Sequence, residues 1–288
     1  MRTKFGLILF VVLAMVAAAC GGDDEGGDGG SGSCDLADLN LVEDGFLTIA
    51  TSDPAFPPWI GVGDDNFNVP ESKSGFEGDL AYKIANALGF TDDQVKWTRV
   101  GFIEAIAVGP KDFDFNVQQY SINPAREEVI DFSVPYYTTT QALVTLADSE
   151  YASASTVADL KGAKLGAQIG TTSLAFIEDV IEPDTQPNVY DDNTDVEAAM
   201  NAGQIEGLVV DLPTAYFVTA AQVDGSVIAG KFESEAAAPD DYGLLFESGN
   251  SLKACVDEVI EDLRSDGTLD ALVARWLEQG GDINVITG

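Results

Sequence analysis

Strand and helix patterns alternate along this chain, break off, and begin again. FLTIAT (46–51) reads as a strand, and DLAYKIANALG (79–89) as a helix capped by Asp79 and stopped by Gly89. VKWTRV (95–100) predicts a second strand, FIEAIAVG (102–109) a short helix and FDFNVQ (113–118) a third strand. The alternation resumes with AKLGAQIG (163–170), TSLAFIEDVI (172–181) and DVEAAMNAGQIEGLVVD (195–211). SLKACVDEVIEDLRSDG (251–267) and TLDALVARWLEQGG (268–281) close the chain as two helices. Alternation of this kind implies an α/β fold with mostly parallel sheets flanked by helices.

The two series echo each other. EAIAVGPKDFDFNVQ (104–118) and EAAMNAGQIEGLVVD (197–211) share a glutamate, an apolar helix end, a glycine turn and a strand. The first strand ends at Gln118 and the second at Asp211. Open α/β sheets bind ligands at the C-terminal ends of their strands. Two related lobes facing one another would therefore hold a ligand in the cleft between them.

The first residues belong to a different category. Arg2 and Lys4 precede an apolar run from Phe5 to Val16. That run is shorter than the roughly 20 residues a spanning helix needs, so residues 1–19 read as a secretory signal peptide. Ala17-Ala18-Ala19-Cys20 looks like a lipobox, with alanine where the common form has leucine, so Cys20 is expected to carry lipid. Plain secretion with an unmodified Cys20 is the alternative. GGDDEGGDGGSGS (21–33) has no core-forming residue, and 20–40 read as a flexible, self-repelling acidic tether. About 255 residues follow, enough for two domains of ordinary size.

Charge excludes several classes of partner. The formal net charge is −35, and loss of Arg2 and Lys4 leaves 12 basic against 49 acidic residues. Nucleic acid, which needs basic patches, is excluded, and so is binding to anionic lipid through the protein surface. The sequence contains no histidine, so Ser-His and Cys-His catalytic pairings are impossible. It also lacks a Walker loop and a GxGxxG motif. With Cys20 lipidated, Cys34 and Cys255 are left as a pair in an oxidising compartment that permits a disulfide. Two free buried cysteines are the alternative. Two cysteines without histidine make no zinc site, and no metal, cofactor or catalytic residue is expected.

Several residues are placed to hold a small ligand. Arg126 follows Ser121-Ile122-Asn123-Pro124 in a loop past a strand. Its planar fork could grip a carboxylate, or it could pair internally with Glu127, Glu128 or Asp131. Gly170-Thr171-Thr172-Ser173 lies between a strand and a helix, where N–H groups favour an anion and where simple capping would also occur. Asp211 ends an apolar strand, so it could accept from an ammonium group or cap the next helix. Phe56 and Trp59 sit in a proline-rich loop after the first strand. They could wall a ligand or pack the lobes together, packing being the stronger reading for Trp59.

In combination these residues point to one family. GFLTIATSDPAFPPW, GFEGDLAYKIANALG, the stretch around SINPAREEVIDFSVPYY, LKGAKLGAQIGTTS and YGLLFESGNSLKACVDEVIEDLRSDGTLDALVARWL occur in this order over about residues 41–279. The chain resembles the type-3 bacterial extracellular solute-binding proteins, the receptors of amino-acid ABC importers. The resemblance implies a two-lobed periplasmic-binding-protein fold that closes on its ligand. Lobe 1 would be 41–140 plus 240–288, and lobe 2 would be 141–239. It implies that Arg126 clamps an α-carboxylate, that Thr172 assists through its backbone N–H, and that Asp211 holds the α-ammonium. Ser121 and the backbone near Gln119 would share that polar shell, and Phe56 would cover the ligand. It places Cys255 near the entry of Cys34, which favours the disulfide. It also implies a monomer outside the cytoplasm, anchored by lipid to the outer face of the membrane and docking on an ABC permease.

The chain departs from the family at Gln118-Gln119-Tyr120, where small residues are usual. These side chains would reach into the cleft and read a polar ligand, or fill it. A polar amino acid is expected, a basic one or a related zwitterion being further options. Two alternatives differ in class. One is a cyclic carboxylic acid dehydratase on the same fold, with Glu104 as the acid. The other is a sensor subunit that signals rather than imports.

Overall fold

The computed structural model describes residues 34–36, 39–233, 240–278 and 281–288. The expected signal peptide, Cys20 and the glycine-rich stretch lie outside them. The first series comprises β1 (Leu47–Thr51), α1 (Phe76–Ala87), β2 (Val95–Arg99), α2 (Phe102–Ile106), β3 (Phe115–Asn116), α3 (Pro124–Glu127), β4 (Ile130–Phe132) and β5 (Tyr137–Thr139). The second comprises β6 (Gln141–Leu146), β7 (Leu165–Gln168), α4 (Thr172–Phe176), β8 (Asn188–Tyr190), α5 (Asn193–Asn201), β9 (Gly207–Asp211), α6 (Leu212–Phe217) and β10 (Ser226–Phe232). The chain then continues through β11 (Asp240–Tyr242), β12 (Leu245–Glu247), α7 (Leu252–Ser265), α8 (Thr268–Trp276) and β13 (Val285–Ile286).

The elements build two sheets, ordered β2-β1-β3-β12-β4 and β13-β10-β6-β9-β7-β8. In each sheet one strand runs against the rest, β12 in the first and β6 in the second. Each of them follows a member of the antiparallel pair β5–β11, which carries the chain from one sheet to the other. A chain arriving from the side where the parallel strands end must enter the new sheet in the opposite direction. The two-lobed α/β architecture thus has one reversed strand per sheet, each entered from the β5–β11 pair.

Helix α1 begins earlier than the sequence implies. Its N-cap is Gly75, at φ 95, rather than Asp79. The first-turn N–H groups of Phe76 and Glu77 donate to the carbonyls of Pro58 and Trp59, each at 2.9 Å. Loop carbonyls therefore do the work of a side-chain cap. A Cβ at Gly75 would lie 2.5 Å from the Trp59 oxygen, so this close approach requires glycine. Asp79 instead accepts from Trp276 Nε1 at 3.1 Å, tying α1 to α8. β1 is buried at all five positions because both faces of its sheet are covered.

Leu252, Cys255, Val256 and Ile260 form the buried stripe of α7. They join Leu47, Ile49, Phe76, Leu80 and Ile84 in the largest core cluster, each worth roughly 1.5–3 kcal/mol on burial. Cys34 and Cys255 are joined in a disulfide, with Cα atoms 5.6 Å apart. The tail crosses back, because β13 pairs with β10 and Thr287 bridges to Thr156. The last residues thus join the second sheet, whereas the expectation put all of 240–288 in the first lobe. A two-residue strand at an edge leaves no periodicity in the sequence to reveal it.

Candidate ligand-binding cleft

A cleft of about 380 Å³ opens where strands of both sheets end, within the range of small-molecule sites. Arg126, Asp211, Thr172, Ser121, Phe56, Gln118 and Gln119 all line it. The fork of Arg126 rests on α3, whose N-cap Asn123 accepts from the Arg126 N–H at 3.0 Å. Arg126 is 8% exposed. It donates to the Ser121 carbonyl at 2.6 Å and to the Gly170 carbonyl at 2.9 Å, and lies 5.4 Å from the Phe102 ring centroid. Among the described residues it has no ion pair, so the expected alternative of a bridge to Glu127, Glu128 or Asp131 does not form. Burial lowers its pKa from the usual value, but an arginine side chain stays charged near neutrality. A buried cation whose protein partners are neutral carbonyls has room for an anion.

Asp211 ends β9 and stands at the N-cap position of α6, yet its side chain makes no capping bond. It accepts from Gln141 Nε2 at 3.0 Å. Gln141 is itself held by Ser173, whose hydroxyl donates to its Oε1 at 2.6 Å. Tyr242 stands beside Asp211, but its buried hydroxyl closes no well-formed hydrogen bond among the described residues. Burial, and to a lesser degree the charge of Asp240, raise the Asp211 pKa from 3.8 to about 7. A carboxylate destabilised in this way gains most from a cation delivered to it.

Contacts cross the cleft at several points. The hydroxyls of Ser121 and Thr172 are 3.2 Å apart. Trp59 Nε1 donates to Thr214 Oγ1 at 2.9 Å. The Phe56 and Phe217 rings face each other at 6.0 Å. Thr171, one residue before Thr172, is the N-cap of α4 and accepts from the Leu174 N–H at 3.1 Å.

Gln118, Gln119 and Tyr120 divide between cleft and core. Gln119 is held at φ 50, a left-handed backbone that costs a residue with a Cβ. Glu77, fully buried on α1, accepts from the Gln119 N–H at 2.9 Å and also from its side-chain amide and the Tyr136 hydroxyl. Burial nevertheless raises the Glu77 pKa to about 7 against these bonds. Tyr120 does not reach the cleft, which corrects its expected place in the site. It is fully buried, stacks on Phe102 at 4.9 Å, and donates to Gln118 Oε1 at 2.8 Å. The left-handed turn at Gln119 directs its ring away from the cleft that Gln119 and Ser121 line.

The match to known proteins fits this geometry. Residues 47–279 match the family described as bacterial extracellular solute-binding proteins, family 3. The chain belongs to this family. The family-3 chain is 28% identical to the L-cystine-binding protein of Escherichia coli K12, with 85% of it and 87% of that protein covered. It is 26% identical to the glutamate-binding protein of Corynebacterium efficiens, with 94% and 90% covered. Among solved structures, an ancestral arginine-binding protein bound to glutamine is 26% identical, with a TM-score of 0.68 over 82% of this chain and all of that one.

Within this family-3 chain the cleft also includes residues that the sequence reading passed over. Arg99, at the end of β2, donates to Asn68 Oδ1 at 2.8 Å and the Asn68 carbonyl at 2.7 Å. Asp53, Gln168, Asp191, Asp192 and Glu197 line the wall as well. The position of Arg99 near the end of a predicted strand was the available signal, and Asp192 begins a helix as its N-cap, accepting from the Asp195 N–H at 2.9 Å. Glu104, the candidate acid of the dehydratase alternative, lines the cleft too.

Proposed function

We propose that this protein captures an amino acid in the cleft and presents it to an ABC import permease. The observation that carries the reading is the pairing of Arg126 with Asp211. They are opposite charges on the two walls of one cleft, and no direct ion pair joins them. The Arg126 fork takes the α-carboxylate together with the Thr172 backbone N–H, and the Ser121 hydroxyl shares that polar shell. Asp211 takes the α-ammonium, and Phe56 with Phe217 covers the apolar part of the ligand. A zwitterion answers both charges at once, so the closed arrangement is favoured only when the ligand is present. Two charge-assisted bonds at roughly 1.5–3 kcal/mol each, plus aromatic contact, approach the ~8 kcal/mol of a micromolar site.

In this reading the two sheets are the cores of two lobes that move about the β5–β11 crossing. A signal peptide over 1–19 and lipid on Cys20 place a monomeric receptor on the outer face of the membrane, free to reach a permease. Binding without chemistry is the role, as in the relatives named for what they bind.

The test is thermal unfolding of the full chain against the twenty amino acids. A ligand that binds the native state at 100 times its dissociation constant adds roughly 2.7 kcal/mol of stability. One or a few amino acids should raise Tm, and Arg126→Ala should abolish the shift while the ligand-free protein still unfolds cooperatively. A shift that survives Arg126→Ala would remove the clamp, and with it this reading.

A further inference from the structure

We propose that the ligand carries a second positive charge on a long side chain, and that Glu197 is the buried carboxylate that receives it. The inference rests on the amino-acid reading above and goes on to name the ligand class.

Glu197 sits one turn inside α5, four residues after Asn193 on the same face, and both line the cleft. Its carboxylate side chain is 6% exposed. Among the described residues it has neither a hydrogen bond nor an ion pair, and the charge of Asp192 acts on it in addition to burial. A buried carboxylate costs several kcal/mol unless it is paired. Nothing in the packing of α5 calls for one, because Val196, Ala199 and Met200 already supply the apolar face of that helix. A buried, unpartnered acid in the wall of a ligand cleft is an acceptor awaiting a donor.

Its position fits the far end of a ligand anchored at Arg126 and Asp211. In the second sheet β7 lies between β9 and β8. The end of β9 carries Asp211, the end of β7 leads to Thr171 and Thr172, and the end of β8 leads into α5. Two strand spacings, about 9.5 Å, therefore separate the ammonium site from the mouth of α5. A short side chain would stop over β7, whereas a long one extends to Glu197.

The charge of the wall agrees. The described lining holds six carboxyl side chains and two guanidiniums. An α-zwitterion engages Arg126 and Asp211 and leaves Arg99 against Asp53, Glu104, Asp191, Asp192 and Glu197. Arg99 is already committed to Asn68 and the Ser52 carbonyl. An acidic side chain would meet a strongly negative end of the cleft, a neutral amide or ureido group could donate a hydrogen bond to Glu197 but would bring no counter-charge, and a guanidinium or ammonium supplies both.

The experiment compares L-arginine and L-lysine with L-citrulline, which keeps the length and shape of arginine but not the charge, and with L-glutamine and L-glutamate. Calorimetric titration of the full chain should give a cationic amino acid binding at least 100-fold more tightly than citrulline. Glu197→Gln should reduce affinity for the cationic ligand 10- to 100-fold and change citrulline affinity by less than threefold, with ligand-free Tm unchanged or higher. Tightest binding of a neutral or acidic amino acid would overturn this inference and leave the receptor reading standing. So would an equal loss for arginine and citrulline in Glu197→Gln. Failure of every amino acid to bind would overturn the receptor reading and this inference with it.

Discussion

The Arg126 guanidinium donates to the Gly170 carbonyl at 2.9 Å, joining the first sheet's side of the cleft to the loop after β7. Its second bond, at 2.6 Å, goes to the Ser121 carbonyl on its own side. One side chain thereby spans the cleft at the point where a ligand carboxylate would be read. Closure and recognition thus share a residue, and the charge and the shape of Arg126 contribute separately.

Arg126→Lys separates those contributions. Lysine keeps the charge but offers a point donor in place of a planar fork. It can hold either a ligand carboxylate or the Gly170 carbonyl, and loses the guanidinium's approach to the Phe102 ring. Ligand affinity is expected to fall about 10- to 100-fold, roughly 1.4–2.8 kcal/mol, with Tm of the free protein within a few degrees of the parent. Isothermal titration reads the first quantity and thermal unfolding the second.

Affinity should depend on pH through Asp211. Burial holds its pKa at about 7 in the free protein, while the ligand ammonium needs the ionised form. Below pH 7 a proton must leave before the ammonium can pair, so affinity falls by up to tenfold per unit towards pH 5. Above pH 7 this contribution is flat. Asp211→Asn should weaken binding at pH 8 by 100-fold or more and remove this part of the slope. Titrations at pH 5.5, 7 and 8.5 decide it, and a slope unchanged in the variant would assign the proton to another group.

Glu77 predicts a pH dependence of stability. Its pKa is raised by burial from 4.5 to about 7 in the folded protein, so the folded state holds a proton that the unfolded chain releases earlier. Stability therefore declines as pH rises from about 4.5 to about 7, and the contribution of this one group is about 3 kcal/mol. Glu77→Gln should flatten that part of the curve in denaturant unfolding at pH 5 and pH 8. It should also loosen Gln119, whose left-handed backbone Glu77 holds in place.

Removing the disulfide should cost more stability than binding. Cys34 and Cys255 are 221 positions apart, and cross-links over long loops restrict the unfolded chain most, with losses of roughly 2–5 kcal/mol when they are removed. Cys34→Ser with Cys255→Ser should lower the unfolding free energy by that amount and leave ligand affinity within about twofold, because neither cysteine lines the cleft. A large loss of affinity would mean that the bridge positions α7 for closure.

Much of the lining of the candidate cleft was legible in the chain before any coordinates. Arg126, Asp211, Thr172, Ser121 and Phe56 each stand just past a strand or at a helix start, and a parallel sheet sends such positions to one edge. Periodicity also marked β1, α1, β2, α7 and α8, since burial on one or both faces leaves a pattern in the residues themselves. Short elements escaped for the opposite reason. β4, β5, β11, β12 and β13 have two or three residues each, too few to repeat a pattern, and their partners lie far away in sequence.

What tertiary structure alone decided is which groups share a solvent-free space. Sequence placed Tyr120 beside Gln119 in the cleft, but the left-handed turn at Gln119 and the stacking on Phe102 send its ring into the core. Sequence read Glu197 as part of a helical repeat, but packing of α5 against β7, β8 and β9 puts it in the cleft wall with little of its surface exposed. The residues and their local order determined the fold class and the polar residues placed at strand ends and helix starts, because strand ends and helix starts are local properties. Burial, and with it the charge balance of the cleft, depends on chain segments meeting at a distance, and only the folded arrangement sets it.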